Sequence, residues 1–259
     1  MMMEEYVSND EYPRYFSKLE GLRARIAADL PLASDIKVLD LATGYGYFAI
    51  EVAKRESSVK IIGIDVSQSD VNVFRRNVKR LGLGDRLKVV RMDATQMEFP
   101  DEEFDMVINF LGLEDIHMSR EREGVKRTFN EVARVLKPTG YFCFTAMPPE
   151  ESQTEAQKIE VALFSYICNC AWLAAKEYEK MLEENGFQLL DKKSYYTGKK
   201  LTAEQARQEI RFACDNVPKI YGVQTPSFEE VWRKFGVDIE KHGLGHYSKV
   251  VLFVAQEGL

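Results

Sequence analysis

The sequence predicts an α/β fold in which a mostly parallel sheet carries helices on both faces. Three observations predict it. Short apolar segments with strand character alternate with segments of helical spacing along most of the 259 residues. The first such strand runs into a glycine turn and then a helix, in the stretch VLDLATGYGYFAIEVAK at residues 38–54. In addition, the first three strands each end at an aspartate.

The composition indicates one globular domain spanning residues 1–259. Hydrophobic residues make up 45% of the chain, which is ample for a core. The 35 Lys and Arg residues against 41 Asp and Glu residues give a net charge of −6, which argues against a nucleic-acid partner. Since there is neither a signal peptide nor an apolar run of about 20 residues, we expect a cytoplasmic protein without membrane contact.

The glycine turn is the first feature that indicates a ligand. Residues Val38 to Leu41 form a buried strand, and a helix begins at Tyr47. Between them, Gly44 and Gly46 allow a tight turn that can approach a ligand closely. Together with Ala49 they match G-x-G-x-x-A, a weak signal that dinucleotide-dependent reductases share.

The strand-end acids sharpen that signal. Asp40 ends the first strand, Asp65 ends the second and Asp93 follows the third. Carboxyl ends of parallel strands meet at one edge of a sheet, which is where ligands bind in open α/β folds. With the form D-x-A-T-G-x-G at residues 40–46, these acids resemble the class I S-adenosyl-L-methionine (SAM) methyltransferases. The resemblance is strongest to the methyltransferase domain of ubiquinone and menaquinone biosynthesis.

The resemblance covers residues 36–145 well and residues 177–196 loosely. It implies a Rossmann-like, seven-stranded, mostly parallel sheet whose last strand is antiparallel. Ala42 stands where many relatives have glycine. The implied SAM-binding residues all lie at the carboxyl ends of the first four strands: Asp40, Ala42, Thr43, Gly44, Gly46, Asp65, Val66, Asp93, Ala94, Asn109 and Phe110. Among them, Asp65 is expected to accept the ribose hydroxyls and Asp93 the adenine amino group.

Capping signals and apolar periodicity place the later elements. Ser67 is expected to cap a helix that Gly82 ends, and Ser119 to cap a helix that continues to Leu136. The segment between strand four and Ser119, residues 112–118, is predicted to be a loop at the ligand-binding edge. The remaining predicted elements are strands at 104–111, 141–146, 187–196 and 247–255 and a helix at 176–185.

Two insertions interrupt the family pattern, at about residues 151–172 and 200–245. The first is predicted to be one helix. The second contains two capping boxes, Thr202 with Gln205 and Ser227 with Glu230, and Gly243 is expected to end its second helix. Both connections leave the carboxyl edge of the sheet, so we expect the inserted helices to form one cap. A cap that encloses the site suits a small-molecule acceptor, which makes a SAM-dependent methyltransferase of small molecules the favoured function.

Methyl transfer needs a base only for certain acceptors, and the candidate is His117, which follows strand four and titrates near neutral pH. Its neighbours Glu114 and Asp115 are expected to be solvated or to cap a helix. A leading helix within residues 6–31 is expected to fold over the cofactor, with three tyrosines as candidates for the mouth of the site: Tyr6, Tyr12 and Tyr15.

Other interpretations stay open at this point. An NAD(P)-dependent reductase fits the glycine turn and Asp65, although Asp93 counts against it. A SAM-binding protein without turnover is the second alternative. No metal site is predicted, but Cys168, Cys170 and Cys214 could converge on a metal or arsenic centre. The acceptor and the oligomeric state do not follow from the sequence.

Overall fold

The computed structural model describes residues 19–258. Tyr6, Tyr12 and Tyr15, which were predicted at the mouth of the site, lie outside the described residues. Among residues 19–258 no helix is both long enough and apolar enough to cross a bilayer.

A seven-stranded sheet forms the centre of the molecule, in the order β3-β2-β1-β4-β5-β9-β6. The strands of the described chain are β1 (Lys37–Leu41), β2 (Lys60–Asp65), β3 (Leu87–Arg91), β4 (Phe104–Phe110), β5 (Leu136–Ala146), β6 (Phe187–Tyr196), β7 (Lys200–Leu201), β8 (Leu244–Gly245) and β9 (Lys249–Glu257). Strands β1 to β6 run parallel, and β9 lies antiparallel between β5 and β6. The predicted Rossmann-like sheet is therefore confirmed, with its last strand antiparallel.

Eight α-helices accompany these strands in the described part of the chain. They are α1 (Glu20–Asp29), α2 (Tyr47–Arg55), α3 (Gln68–Leu81), α4 (Gly112–Val135), α5 (Glu155–Ile167), α6 (Ala175–Glu184), α7 (Ala203–Tyr221) and α8 (Phe228–His242). A short 3-10 helix, Pro149–Glu151, precedes α5.

Helices cover both faces of the sheet, which is why β1 and β4 are almost continuously apolar and buried. On one face, Ile26 of α1, Val52 of α2 and Phe74 of α3 belong to one hydrophobic cluster. On the other face, Phe129 of α4 and Tyr178 of α6 belong to a second cluster. The carboxyl ends of the parallel strands lie at the sheet edge between these two layers.

Five predicted cap residues lie at helix ends in the structure. The Ser67 hydroxyl accepts a hydrogen bond from the Asp70 amide, and Gly82 ends α3 with a positive φ of 66°. Both predicted capping boxes of the second insertion are present, at Thr202 and at Ser227. Gly243 ends α8, as predicted.

The segment after β4 was predicted wrongly. Helix α4 begins at Gly112, so residues 112–118 are helical and not a loop. Ser119 does not cap a helix, because its hydroxyl donates back to the Asp115 carbonyl oxygen at 2.8 Å. The chain breaks its helical geometry at Glu121, with a φ of 57° and a ψ of −174°. Ser119 therefore lies inside a kinked helix, two residues before the kink, and does not mark the start of a helix.

The bounds of the first insertion also differ from the prediction. Its helix is α5, residues 155–167, and it is shorter than the predicted 151–172. Thr154 and Gln157 form a capping box at its start. The sequence therefore carries a capping signal at residues 154–157, inside the range predicted as helix. Strand β9 begins at Lys249, two residues after the predicted start.

Helices α5, α7 and α8 pack on one another around a third hydrophobic cluster, which includes Leu163, Ile210 and Phe235. The two-stranded pairing of β7 with β8 closes the base of the second insertion and was not predicted. Both inserted segments therefore contribute to the same packed layer.

Candidate functional site

The glycine turn between β1 and α2 is built from left-handed backbone. Ala42, Gly44 and Gly46 have φ values of 47°, 53° and 77°. The amide of Thr43 donates to the Ile64 carbonyl at 2.9 Å, which ties the turn to β2. Ala42 therefore occupies a conformation that glycine adopts without strain, and this explains physically why glycine is common at this position in the family.

Gly46 is required for packing as well as for its backbone conformation. A Cβ atom at Gly46 would lie 2.4 Å from the ring of Phe74 on α3, and one at Gly63 would lie 2.6 Å from the same ring. The space beside Gly46 thus holds a protein side chain. Glycine was predicted here for a tight turn and for close approach to a ligand, and the structure adds a third reason, the packing of α3 against the turn.

Asp40, at the end of β1, is 1% exposed. The Thr43 hydroxyl donates a hydrogen bond to its carboxyl group. Burial raises the pKa of Asp40 to about 7, the Thr43 hydrogen bond opposes that rise, and the nearby Asp65 adds to it. A cationic group that approached Asp40 would therefore relieve an unfavourable buried charge.

Asp65, at the end of β2, accepts two backbone hydrogen bonds. The amide of Gly44 donates to Oδ2 at 2.9 Å and the amide of Ser67 donates to Oδ1 at 2.9 Å. Burial raises the pKa of Asp65 to about 7. The next side chain, Val66, is 40% exposed and leaves an apolar surface beside this carboxylate.

Asp93, after β3, is bound at both carboxylate oxygens. The amide and hydroxyl of Thr95 donate to Oδ1, each at 2.8 Å, and Nη2 of Arg120 lies 3.0 Å from Oδ2. Burial acts to raise the pKa of Asp93, but these hydrogen bonds lower it below the ordinary value. Ala94 beside it is buried. Asp93 therefore presents an ionised acceptor at the rim of the site.

Asn109 and Phe110 end β4. The Asn109 amide group donates to the Leu41 carbonyl at 2.7 Å and accepts from the Gly112 amide at 3.0 Å. Asn109 therefore joins β1 to the start of α4, and both ends of its amide are used by backbone. The Phe110 ring lies 5.4 Å from the Phe48 ring.

Arg23 of α1 is a residue of this site that the sequence analysis missed. It is 5% exposed, and its guanidinium lies 5.2 Å from the Tyr47 ring centre and 4.9 Å from the Phe110 ring centre. Its positive charge lowers the pKa of Asp40. The available signal was an arginine next to the apolar stripe formed by Leu19, Leu22 and Ile26 of the leading helix.

His117 lies beside Cys170, in the segment that follows α5. Its Nδ1 atom lies 3.4 Å from the Cys170 sulfur. Burial lowers its pKa, and the charged groups that affect it are Glu177, Arg122 and Glu121. The structure does not bring His117 together with Asp40, Asp65 and Asp93.

Glu114 and Asp115 are buried or partly buried, whereas the sequence analysis expected them to be solvated or capping. Glu114 is 8% exposed, its Oε1 accepts from the Met147 amide at 3.0 Å, and burial raises its pKa to about 7. Asp115 accepts a hydrogen bond of 2.7 Å from the Tyr221 hydroxyl of α7. The burial of these two acids could not be predicted from neighbouring residues, because their hydrogen-bond partners are remote in the chain.

The three cysteines of the insertions lie near one another. Cys168 interacts electrostatically with Cys170 and with Cys214, and burial raises the pKa of its thiol to about 12. All four cysteines are free thiols. Within residues 19–258, no group of three or more His, Cys, Asp or Glu side chains has an arrangement that could hold a metal ion.

The chemistry of these groups fits SAM. Its ammonium, ribose hydroxyls and adenine amino group are donors, and Asp40, Asp65 and Asp93 are carboxylate acceptors along one sheet edge. The positive sulfonium also suits buried carboxylates whose ionisation is otherwise unfavourable.

The comparisons with known proteins point to one family. Residues 38–140 match the family model described as a methyltransferase domain. The chain is 33% identical over 105 residues to a demethylmenaquinone methyltransferase of Bacteroides fragilis. This match covers 40% of each of the two chains. It is 30% identical over 134 residues to the U6 snRNA (guanine-N(2))-methyltransferase THUMPD2 of Bos taurus, covering 49% of this chain and 26% of that one. The chain thus spans less than half the length of these relatives.

A longer match is to the 27-O-demethylrifamycin SV methyltransferase of Amycolatopsis mediterranei, 26% identical over 231 residues, covering 87% of this chain and 80% of that one. Two solved structures share the fold. One is a putative methyltransferase from Bacillus halodurans, with a TM-score of 0.64, 22% identity and coverage of 92% of this chain and 99% of that one. The other is a geranyl diphosphate methyltransferase in complex with SAM, with a TM-score of 0.61, 13% identity and coverage of 99% and 93%. The glycine turn, the strand-end acids and these matches together support a class I SAM-dependent methyltransferase, whose methyltransferase domain the family model places at residues 38–140.

Proposed function

We infer that this protein transfers a methyl group from SAM to a small-molecule acceptor that is enclosed between the carboxyl edge of the sheet and a helical cap. In this proposal the chain is one domain, and the cap consists of the insertions at about residues 151–172 and 200–245. The observation that carries it is the contact of Tyr221, at the end of α7, with Asp115, in the first turn of the helix that follows β4. An inserted helix therefore reaches the edge at which the strand-end acids lie.

The cofactor would lie along the acids of β1, β2 and β3. The Asp65 oxygens each accept one backbone hydrogen bond, and a carboxylate oxygen has a second lone pair with which to accept a ribose hydroxyl. The adenine ring would cover the exposed Val66 side chain, and its amino group would donate to Asp93. The remaining proposed contacts surround the methionine part and the floor of the pocket: Asp40, Ala42, Thr43, Gly44, Gly46, Ala94, Asn109 and Phe110.

Methyl transfer from SAM requires little of the protein beyond positioning the acceptor atom. SAM supplies an activated methyl group on a positive sulfur, so the protein must hold the acceptor atom at about 3–3.5 Å from the methyl carbon and in line with the C–S bond. A closed cap would also exclude water from the reaction. Arg23, with the Tyr47 and Phe110 rings, adds a cation and two aromatic faces at the methionine end.

The substrate class is supported by charge and by one relative. A chain with a net charge of −6 is a poor partner for a nucleic acid. The rifamycin methyltransferase, whose match extends through most of this chain, is named for a small molecule. The THUMPD2 match, in contrast, covers only 49% of this chain.

The test is to incubate the protein with methyl-labelled SAM and either a small-molecule extract or total RNA. We expect label in a low-molecular-weight product, identified by mass spectrometry, and none in RNA. Calorimetry should show binding of SAM and no comparable binding of NADH. Label in RNA alone would overturn the assignment of the acceptor, and a preference for NADH would overturn the assignment of the cofactor.

A further inference from the structure

The pair formed by Asp115 and Tyr221 connects the sheet edge to the inserted helices. Asp115 lies in the first turn of α4, and Tyr221 is the last residue of α7, just before Gly222. The Tyr221 hydroxyl donates to Oδ1 of Asp115 at 2.7 Å. The two residues are 106 positions apart in the chain. Their contact therefore depends on the way the second insertion packs over the end of β4.

Asp115 interacts electrostatically with groups on several neighbouring elements. Its charge acts on Asp65 at the end of β2, and Asp70 of α3 acts on it in turn. It also acts on Tyr221, on Cys168 after α5 and on Tyr247 before β9. The titratable groups that face it are therefore Asp65, Asp70, Glu114, Cys168, Tyr221 and Tyr247. Asp115 lies where the cofactor region and the inserted helices meet.

His117, two residues further along the same helix, has different neighbours. It contacts Cys170 and is influenced by Glu177 and Arg122. Residues two apart on a helix point in nearly opposite directions. Of Asp115 and His117, Asp115 is the residue whose charge acts on the strand-end acid Asp65.

We propose that Asp115 accepts a proton during the methyl transfer and that Tyr221 positions Asp115. The group that receives the methyl is then protic, a hydroxyl or an ammonium, and not a thioether. This inference rests on the proposed function, because it concerns the acceptor of the same reaction.

The step balances in atoms and charge. A lone pair of the acceptor oxygen forms the new bond to the methyl carbon, and the C–S bond breaks with its electron pair remaining on sulfur. The hydroxyl proton passes to the Asp115 carboxylate. The positive sulfonium and the negative carboxylate are thereby neutralised together. For an ammonium acceptor, Asp115 takes one N–H proton before the nitrogen lone pair attacks.

The proton affinity of Asp115 suits this role. Burial raises its pKa to about 6, the Tyr221 hydrogen bond opposes the rise, and Asp70 adds to it. A carboxylate of this kind is a stronger base than an exposed aspartate, yet it is ionised above pH 7. The Tyr221 hydroxyl stabilises the ionised form, and removing that hydroxyl should raise the pKa of Asp115 further.

The experiment compares three variants with the wild type. Asp115→Asn and Tyr221→Phe test the pair, and Asp238→Asn, an exposed aspartate of α8, is the control. Initial rates of labelled product formation are measured from methyl-labelled SAM and small-molecule extract between pH 5 and pH 9. SAM affinity is measured by calorimetry, and the methylated atom is located by tandem mass spectrometry.

We expect Asp115→Asn to lower the rate by about 100-fold or more, the usual contribution of a general base, with SAM affinity changed less than about threefold. Tyr221→Phe should move the acid limb of the pH profile to higher pH, which a purely structural role would not do. The control should match the wild type. The methylated atom should be oxygen or nitrogen.

Undiminished transfer by Asp115→Asn, an unmoved acid limb in Tyr221→Phe, or methylation of a thioether sulfur would each overturn the inference while leaving the proposed function intact. If Asp115→Asn fails to fold, the shift of the acid limb of the pH profile in Tyr221→Phe tests the inference by itself. Absence of any labelled product with the wild type would instead count against the proposed function, and this inference would fall with it.

Discussion

Replacing Asp40 by asparagine should stabilise the cofactor-free protein at alkaline pH and weaken SAM binding. Asp40 is 1% exposed, and burial raises its pKa from its ordinary 3.8 to about 7. Between these two values the folded chain holds a proton at this site that the unfolded chain has lost. The fold therefore favours the protonated form of Asp40. The contribution of this group to the free energy of unfolding is fully present at low pH and is lost as the pH rises toward 7 and above.

The magnitude follows from the size of that shift. Three pKa units correspond to about 4 kcal/mol, which is an upper bound for the cost of holding Asp40 ionised at pH 8. Asparagine removes this cost and keeps an oxygen that can accept the Thr43 hydroxyl. We expect Asp40→Asn to raise the free energy of unfolding at pH 8 by about 2–4 kcal/mol and to change it little at pH 4.

The same substitution should weaken SAM binding by about 10- to 150-fold, the loss of a hydrogen bond to a charged group of about 1.5–3 kcal/mol. Urea unfolding at pH 4 and pH 8, together with calorimetric titration of SAM, measures both effects. Asp215→Asn, at an exposed position of α7, is the matched control. A variant less stable than the wild type at pH 8 would refute the reasoning, because Asp40 would then contribute as an ion to the fold.

Three further substitutions probe the cofactor edge. Asp65→Ala should weaken SAM by about 1.5–3 kcal/mol in calorimetry, and unchanged affinity would remove Asp65 from the site. Ala42→Gly should raise the free energy of unfolding by about 0.5–1 kcal/mol, because Ala42 has a φ of 47°; a loss of stability in urea unfolding would contradict this. Gly46→Val should lower the melting temperature, since its Cβ would lie 2.4 Å from the Phe74 ring. A normal melting temperature with lost SAM binding would show that ligand approach alone requires Gly46.

Local signals explain why so much of the core was predictable. The glycine turn, the aspartates at the strand ends and the helix caps at Ser67, Thr202 and Ser227 act through residues only a few positions apart. Strand β4 was recognisable because a central parallel strand must be apolar on both faces. Where the local signal was ambiguous, as at Ser119, the helix start was predicted wrongly.

By itself, the sequence determined the order of strands and helices, the parallel sheet and the edge at which the acids gather, because periodicity, turn chemistry and chain direction are properties of neighbouring residues. Only the tertiary structure decided that Arg23 lies beside Asp40, that Glu114 is buried, and that Asp115 meets Tyr221 while His117 turns toward Cys170. The physical reason is distance along the chain. These contacts join an early helix or a late insertion to the sheet edge, and their energies come from burial and charge that exist only after the layers have packed.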